Sequence, residues 1–293
     1  MVKKLIHILS AVFIVLFFVS MVFFYSIYYT VDHVQIHNKT IQHNQIPASM
    51  DNLKIAYFSD IKFNAFMNEE RLHNIFDEFN KYDSDIIIFG GDLFTYFHNQ
   101  KPSKEAVKQL TELLSSLEAP YGKFAVLGDE DMKDKEATKL AKKVLFDSNF
   151  EVLSNKPLQL RNGGTDSISL IGIDPMINGK PNVQKALKNI SEKAFTIMVT
   201  HCPDLLTNED INTNYLDLVL SAHSLGGQIK FPIIGSLRKI DGAREYVSGN
   251  YTINNTYLNI SNGLGTVDVD MRLFARPEIE IFHLKHSDWS IYP

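Results

Sequence analysis

Residues 85–92 read Asp-Ile-Ile-Ile-Phe-Gly-Gly-Asp. The apolar run has no polar alternation. It predicts a short strand buried on both faces, the habit of a parallel strand inside an α/β sheet. It stops abruptly at two glycines and a carboxylate, Asp92. The same design recurs along the chain. Residues 53–58 run into Ser59-Asp60, and residues 123–127 run into Gly128-Asp129-Glu130-Asp131. Residues 194–199 run into Thr200-His201, and residues 216–220 into Ser221-Ala222-His223. In open α/β sheets, ligand sites collect beyond the carboxyl ends of the strands. Asp60, Asp92, Asp129, His201 and His223 are therefore expected to meet in space. Singly, each reads better as a cap or turn residue; it is the recurrence at five strand ends that points to a site.

The segments between these strands carry helical spacing. Leu72, Ile75, Phe76 and Phe79 fall on one face of 69–80. Ser103 reads as the N-cap of a helix through Leu117, and 135–149 is helical with a Leu140, Val144 and Leu145 stripe. The second half is richer in strands. A hairpin is expected across Asn162-Gly163-Gly164, then a helix over 183–190 and strands at 246–251, 256–260 and 278–284.

The first 30 residues form a separate object, a span of nearly unbroken apolar residues behind Lys3 and Lys4. About 20 such residues cross a bilayer as a helix. The two lysines place the N-terminus in the cytoplasm and the remainder outside, a single-pass cell-membrane protein. Residues 31–50 read as a tether with one strand near Val34-Gln35-Ile36. On it His33, His37 and His43 are expected to be solvated. The folded domain is expected over 51–286. At 293 residues, 45% hydrophobic and 22% charged, the chain supports one anchor and one well-cored domain. A net charge of −5 argues against nonspecific nucleic-acid binding. Cys202 is the single cysteine, so no intrachain disulfide can form.

Asp60-Ile61-Lys62, Gly91-Asp92, Gly128-Asp129-Glu130-Asp131, Thr200-His201 and Ala222-His223-Ser224-Leu225-Gly226-Gly227-Gln228 together resemble the calcineurin-like metallophosphoesterase family, in particular its membrane-anchored bacterial branch. Pro203-Asp204, Phe231-Pro232, 261–265 and 272–278 also resemble that branch. The resemblance implies a four-layer α/β/β/α sandwich, the metallo-dependent phosphatase fold. It also implies phosphoester hydrolysis at two divalent metals, which polarise the phosphoryl group and activate water.

The motifs depart from the family pattern at informative places. By resemblance, one metal is held at the positions of Asp60, Lys62, Asp92 and Leu225. An ammonium cannot ligate while protonated and leucine cannot ligate at all, so this reads as a vestigial site. The other metal falls to Asp92, Asp129, His201 and His223, a set suited to one Zn, Mn or Fe ion. Where the family has a histidine aiding the transition state, this chain has Glu130. The candidate catalytic residues are thus Glu130 and Lys62, whose ammonium is expected to pair with Asp60 and Asp92 in place of a metal. Three readings stay open. One is a family member with at most one metal and weak or no activity, a pseudoenzyme. Another is an active single-metal hydrolase with Lys62 replacing the lost charge. The last is a metal-free structural protein. A phosphoester or a lipid headgroup is the ligand class suggested by the anchor.

Overall fold

The computed structural model describes residues 2–96 and 100–293. Among the described residues, two six-stranded mixed sheets stack face to face. The first holds β1 (Gln35–His43), β2 (Leu53–Phe58), β3 (Ile86–Phe89), β4 (Lys123–Ala125), β5 (Phe150–Val152) and β14 (Glu278–His286), in the order β1-β14-β2-β3-β4-β5. The second holds β6 (Lys156–Leu160), β7 (Ile168–Ile173), β8 (Thr196–Thr200), β9 (Leu218–Ser221), β12 (Gly249–Ile253) and β13 (Thr256–Ile260), in the order β12-β13-β9-β8-β7-β6. A small hairpin, β10 (Lys230–Phe231) and β11 (Gly235–Ser236), stands apart from both.

The doubly buried strand explains the layering. Ile86 and Ile88 point into the core between the sheets, against Leu170, Ile197 and Leu220. Ile87 and Phe89 point the other way, onto α2 (Glu69–Phe79), α3 (Lys104–Ser115) and α4 (Lys135–Asp147). A third core packs α5 (Val183–Leu187) and the 203–216 segment on the outer face of the second sheet. The result is the four-layer sandwich. The helix starts are capped, at Ser103 as the sequence suggests and also at Asn68 and Asp134. Ser103 accepts from the Ala106 amide, Asn68 from Arg71, and Asp134 from Glu136 and Ala137; each such cap is worth about 1 kcal/mol.

The N-terminal helix α1 (Val2–Phe24) continues in helical form to Tyr29 and is long and apolar enough to cross a membrane, with a mean hydropathy of 2.7. At about 1.5 Å per residue its 28 residues exceed a ~30 Å hydrocarbon core. The helix end is not loose. The Arg272 amide donates to Ser26 O at 3.0 Å and Thr30 Oγ1 donates to Arg272 O at 2.5 Å. Arg71 bridges Asp32 and Asp270 at 2.6 and 2.7 Å.

The segment expected to be a tether differs most from its sequence reading. Residues 35–43 form a nine-residue strand, parallel to β14 along its whole length. Ile41 and His43 are buried there, and His37 lies 3.4 Å from Glu278. His43 is thus packed rather than solvated, His37 is partly exposed beside Glu278, and His33 is exposed. An edge strand buries only part of one face, so its polar sequence lacks the alternation that marks a strand. His37, Glu278 and Glu280 bring ligand atoms within 4.8 Å of one another, but Lys39, 2.8 Å from Glu280, already supplies a cation.

Candidate metal centre

All five strand-end residues reach one place. Asp60 follows β2, Asp92 follows β3 and Asp129 follows β4, all parallel neighbours in the first sheet. His201 and His223 follow the parallel pair β8 and β9 of the second sheet. The loops cross closely. A Cβ on Gly91, at φ +101°, would lie 2.4 Å from the Gly128 nitrogen, and one on Gly128 would lie 2.0 Å from Asp92 Oδ1. Only glycine permits that approach. Asp60, Lys62, Asp92, His223 and Leu225 all adopt left-handed backbone with φ between +50° and +70°. Such strain costs about 1–3 kcal/mol per residue and clusters where side chains must be aimed.

Asp131 holds the loops in register. It is buried and accepts from the amides of Asp92 (2.8 Å), Leu93 (3.0 Å) and Gly128 (3.0 Å). Burial and the neighbouring Asp92 charge push its carboxyl up to about 7 against these three donors.

Asp92, Asp129, His201 and His223 each bring one ligand atom within 4.8 Å of the others. The histidines are oriented by backbone carbonyls: His201 Nδ1 is 2.8 Å from Gly90 O and His223 Nε2 is 2.8 Å from Asp241 O. A carbonyl only accepts, so those nitrogens carry the proton, a common way of fixing a ligand imidazole. The opposite nitrogens, His201 Nε2 and His223 Nδ1, face each other at 3.2 Å. Both face Asp129 Oδ1, at 3.1 and 2.9 Å, and His201 Nε2 is 3.3 Å from Asp92 Oδ2. In neutral rings these nitrogens hold lone pairs, and nothing donates to the buried Asp129 Oδ1. Lone pairs converging on carboxylates demand either a second proton on each ring or a cation. This donor set fits a divalent ion.

Lys62 is buried rather than solvated. Its ammonium bonds Asp92 Oδ2 and lies 3.8 Å from Asp60 Oδ1. Burial works against the charge, but Asp92, Asp60 and Asp129 together raise the lysine above its ordinary range. His201 behaves alike: burial lowers it, and the charges of Asp92 and Asp60 raise it well above the usual imidazole value. Burial would raise the Asp129 carboxyl, yet the two imidazoles and Lys62 hold it well below the carboxylate range. Asp60 Oδ2 accepts from Ser59 Oγ at 2.9 Å and from the His223 amide at 3.2 Å, while Oδ1 has no hydrogen-bond donor. The Leu225 side chain is buried in the same neighbourhood.

Glu130 stands half-buried at the wall of a cleft of about 650 Å³. Lys62, Asp129, His223 and Leu225 line the cleft with it. Its amide donates to Asp92 Oδ1 at 2.9 Å. Burial raises its carboxyl above the ordinary glutamate value, and Asp92 and Asp129 add to that, with Lys62 opposing.

Two residues that organise the centre carry no signal as ligands. Asp204 accepts from the amides of Arg244, Glu245 and Tyr246. Arg272, fully buried, donates to the carbonyls of Leu225, Asn262, Ala275, Gly263 and Gly265. Both lie in the additional stretches that carry the family resemblance. Cys202, beside His201, stays outside the group of four, and burial pushes its thiol up to about 11. The native protein is therefore expected to resist iodoacetamide at pH 8, while the chain in guanidinium takes up one equivalent by mass spectrometry.

A four-layer α/β sandwich with carboxylates and imidazoles converging from the strand ends of both sheets defines a class of metal-dependent phosphoesterase scaffolds. The chain belongs to the calcineurin-like phosphoesterase family, whose model matches residues 53–227. It is similar to the uncharacterized metallophosphoesterase YkuE of Bacillus subtilis, 29% identical over 269 residues that cover 90% of each chain. An uncharacterized metallophosphoesterase of Aquifex aeolicus is 28% identical over 86% of this chain and 92% of its own. A bovine transmembrane protein with metallophosphoesterase domain is 26% identical over 80% of this chain and 54% of its own.

Proposed function

We propose that this chain is a membrane-anchored metallophosphoesterase-family protein that holds one divalent ion at Asp92, Asp129, His201 and His223, with weak or no hydrolytic activity. Lys62 stands as a fixed positive charge at the position where the family resemblance implies a metal ligand. The charge balance carries the reading. With the imidazoles neutral, as metal ligands must be, Asp60, Asp92 and Asp129 bring three negative charges and Lys62 returns one. Two like charges ~4 Å apart repel by about 4 kcal/mol at an effective dielectric near 20, so the surplus needs compensation. A single Zn, Mn or Fe ion supplies it, and leaves Leu225 and Lys62 with no second ion to serve.

When bound, such an ion supplies Lewis acidity toward a phosphoryl oxygen. The chain's own residues do the rest. Gly90 O and Asp241 O hold the imidazoles in one tautomer. The Lys62 ammonium offsets part of the charge of an entering phosphoester. Glu130, if ionised, repels that phosphoester; with its raised carboxyl it is better suited to holding a proton beside the substrate than to replacing a cationic histidine. The helix α1, with Lys3 and Lys4 in its first turn, supports a single-pass anchor with the N-terminus cytoplasmic and the domain outside.

A second reading, an active single-metal hydrolase, is favoured by the Lys62 ammonium itself, which borders the cleft and remains charged. Turnover of bis(p-nitrophenyl) phosphate by the detergent-solubilised chain, with and without added Mn²⁺ or Zn²⁺, separates the two. Hydrolysis no faster than in buffer is expected. Turnover near the roughly 10 s⁻¹ typical of enzymes, abolished by Lys62→Ala, would overturn the weak-activity reading in favour of the second.

A further inference from the structure

The candidate centre opens at the end of the domain from which the anchor helix leaves. The sheet register fixes this. The start of β1 pairs with the start of β14, Gln35 with Glu278. Because β14 runs antiparallel to β2, Glu280 sits beside Tyr57, near the end of β2 where Asp60 follows. β3 runs parallel to β2, so Asp92 emerges at the same edge. The chain enters β1 directly from the helix end.

The loop that grips the helix also holds the hairpin at the cleft. Arg272 hydrogen-bonds Ser26 and Thr30, and Arg276 donates to His33 O at 2.9 Å. Next along, the Lys230 amide donates to Leu273 O at 2.9 Å and the Leu273 amide donates to Gln228 O at 3.0 Å. These bonds anchor the base of β10 and β11. The tip of that hairpin carries Ile233 and Ile234, 107% and 76% exposed, a pair of large aliphatic side chains standing mostly in solvent. Leu237 and Val269, also exposed, line the cleft mouth, and Phe274 is 61% exposed between the hairpin base and the helix grip. Exposed Lys239 follows them. Clustered apolar side chains at a surface, with a cation beside them, mark an interaction face, and this one is continuous with the end of a helix of membrane-spanning length.

We propose that the hairpin tip, with Leu237, Val269 and Phe274, seats in the same bilayer that α1 crosses, so that the candidate metal centre opens onto lipid headgroups and takes its phosphoester from the membrane surface. The inference rests on the anchored reading of α1. It gives the exposed isoleucines an apolar phase and places Lys239 at the depth of anionic headgroups.

Tryptophan quenching in nanodiscs tests it on the full chain. The bilayers are phosphatidylcholine and phosphatidylglycerol with acyl chains brominated either near the headgroup or near the bilayer centre. Native Trp289 follows β14, beside Ile291, which pairs with Gln42 at the far end of β1. Nine strand residues place it about 30 Å from the helix entry, so it serves as the water-side control. Two probes go into a Trp289→Phe background: Phe17→Trp in the helix and Ile233→Trp at the hairpin tip. Ile234→Trp repeats the tip measurement independently, and both tip positions are too exposed to disturb the core. The expected result is loss of Phe17→Trp emission with the deep quencher, loss of Ile233→Trp emission with the shallow one, and no loss at Trp289. A quenched helix probe with unquenched, water-like tip probes would overturn the inference and leave the anchor standing. Blue-shifted but unquenched tip emission would mean that protein, such as a second copy of the chain, covers the face, and would equally overturn it. Loss of quenching at both sites would remove the anchored reading and the inference together.

Discussion

Arg272→Met is expected to destabilise the folded domain by about 3–5 kcal/mol, since each buried acceptor left without a donor costs about 1–3 kcal/mol. The guanidinium reaches five carbonyls of the loops around the centre, on Leu225, Asn262, Gly263, Gly265 and Ala275, of which Leu225 O also accepts from the Gln228 amide. Methionine fills the space and donates nothing. Burial brings the guanidinium down only to about 10, so it is charged at pH 7 and its bonds are of the stronger, charge-assisted kind. Lysine has three donors in a different geometry, and Arg272→Lys should recover less than half of the loss. Urea unfolding of the two variants checks this. A change below 1 kcal/mol for Arg272→Met would mean that the loops hold themselves. Because Arg272 also bonds Ser26 through its backbone, the helix docking should persist in either variant.

Lys62→Met is expected to make the fold dependent on divalent ion. In metal-free buffer the variant leaves Asp60 and Asp92 buried without their ammonium, a loss of about 3–5 kcal/mol for a broken buried pair. Saturating Mn²⁺ or Zn²⁺ should restore much of it, because a ligand bound only to the native state stabilises by mass action. The wild type should respond less to the same ion. The pH dependence has a definite sign. Lys62 is raised in the folded state, so its contribution is fully present below the ordinary lysine range and is lost only as pH rises beyond that range. Across pH 6 to 9 the wild-type advantage over Lys62→Met should therefore be flat as far as this group is concerned. Equal thermal response of wild type and variant to added ion would show that Lys62 does not stand in for a cation.

The parts of this molecule legible in the sequence were those whose causes are local. Ile86 to Phe89 shows its double burial in four letters, and α2 before it shows its helical form by the 3.6-residue spacing of Leu72, Ile75, Phe76 and Phe79. The convergence of Asp60, Asp92, Asp129, His201 and His223 was readable because strand ends in parallel sheets share an edge. The length of β1 was not readable, since an edge strand that buries little beyond Ile41 and His43 needs no alternation. β5 and the β10–β11 hairpin are two or three residues long, too short for any period. The clasp of Arg272 was hidden for another reason. Its acceptors are backbone carbonyls 3 to 47 residues away, and carbonyls have no sequence. Asp131 looked like one more charge in a crowded cluster; only its three amide donors show that it fastens the β3 and β4 loops together.

Metal content tests the central claim most directly. The purified full-length chain, loaded with Zn²⁺ or Mn²⁺ and desalted, is compared by elemental analysis with His223→Ala treated identically. One equivalent in the wild type and none in the variant is the result predicted by a single site at Asp92, Asp129, His201 and His223. Two equivalents in the wild type would contradict it, because Lys62 and Leu225 would then not have displaced the second ion.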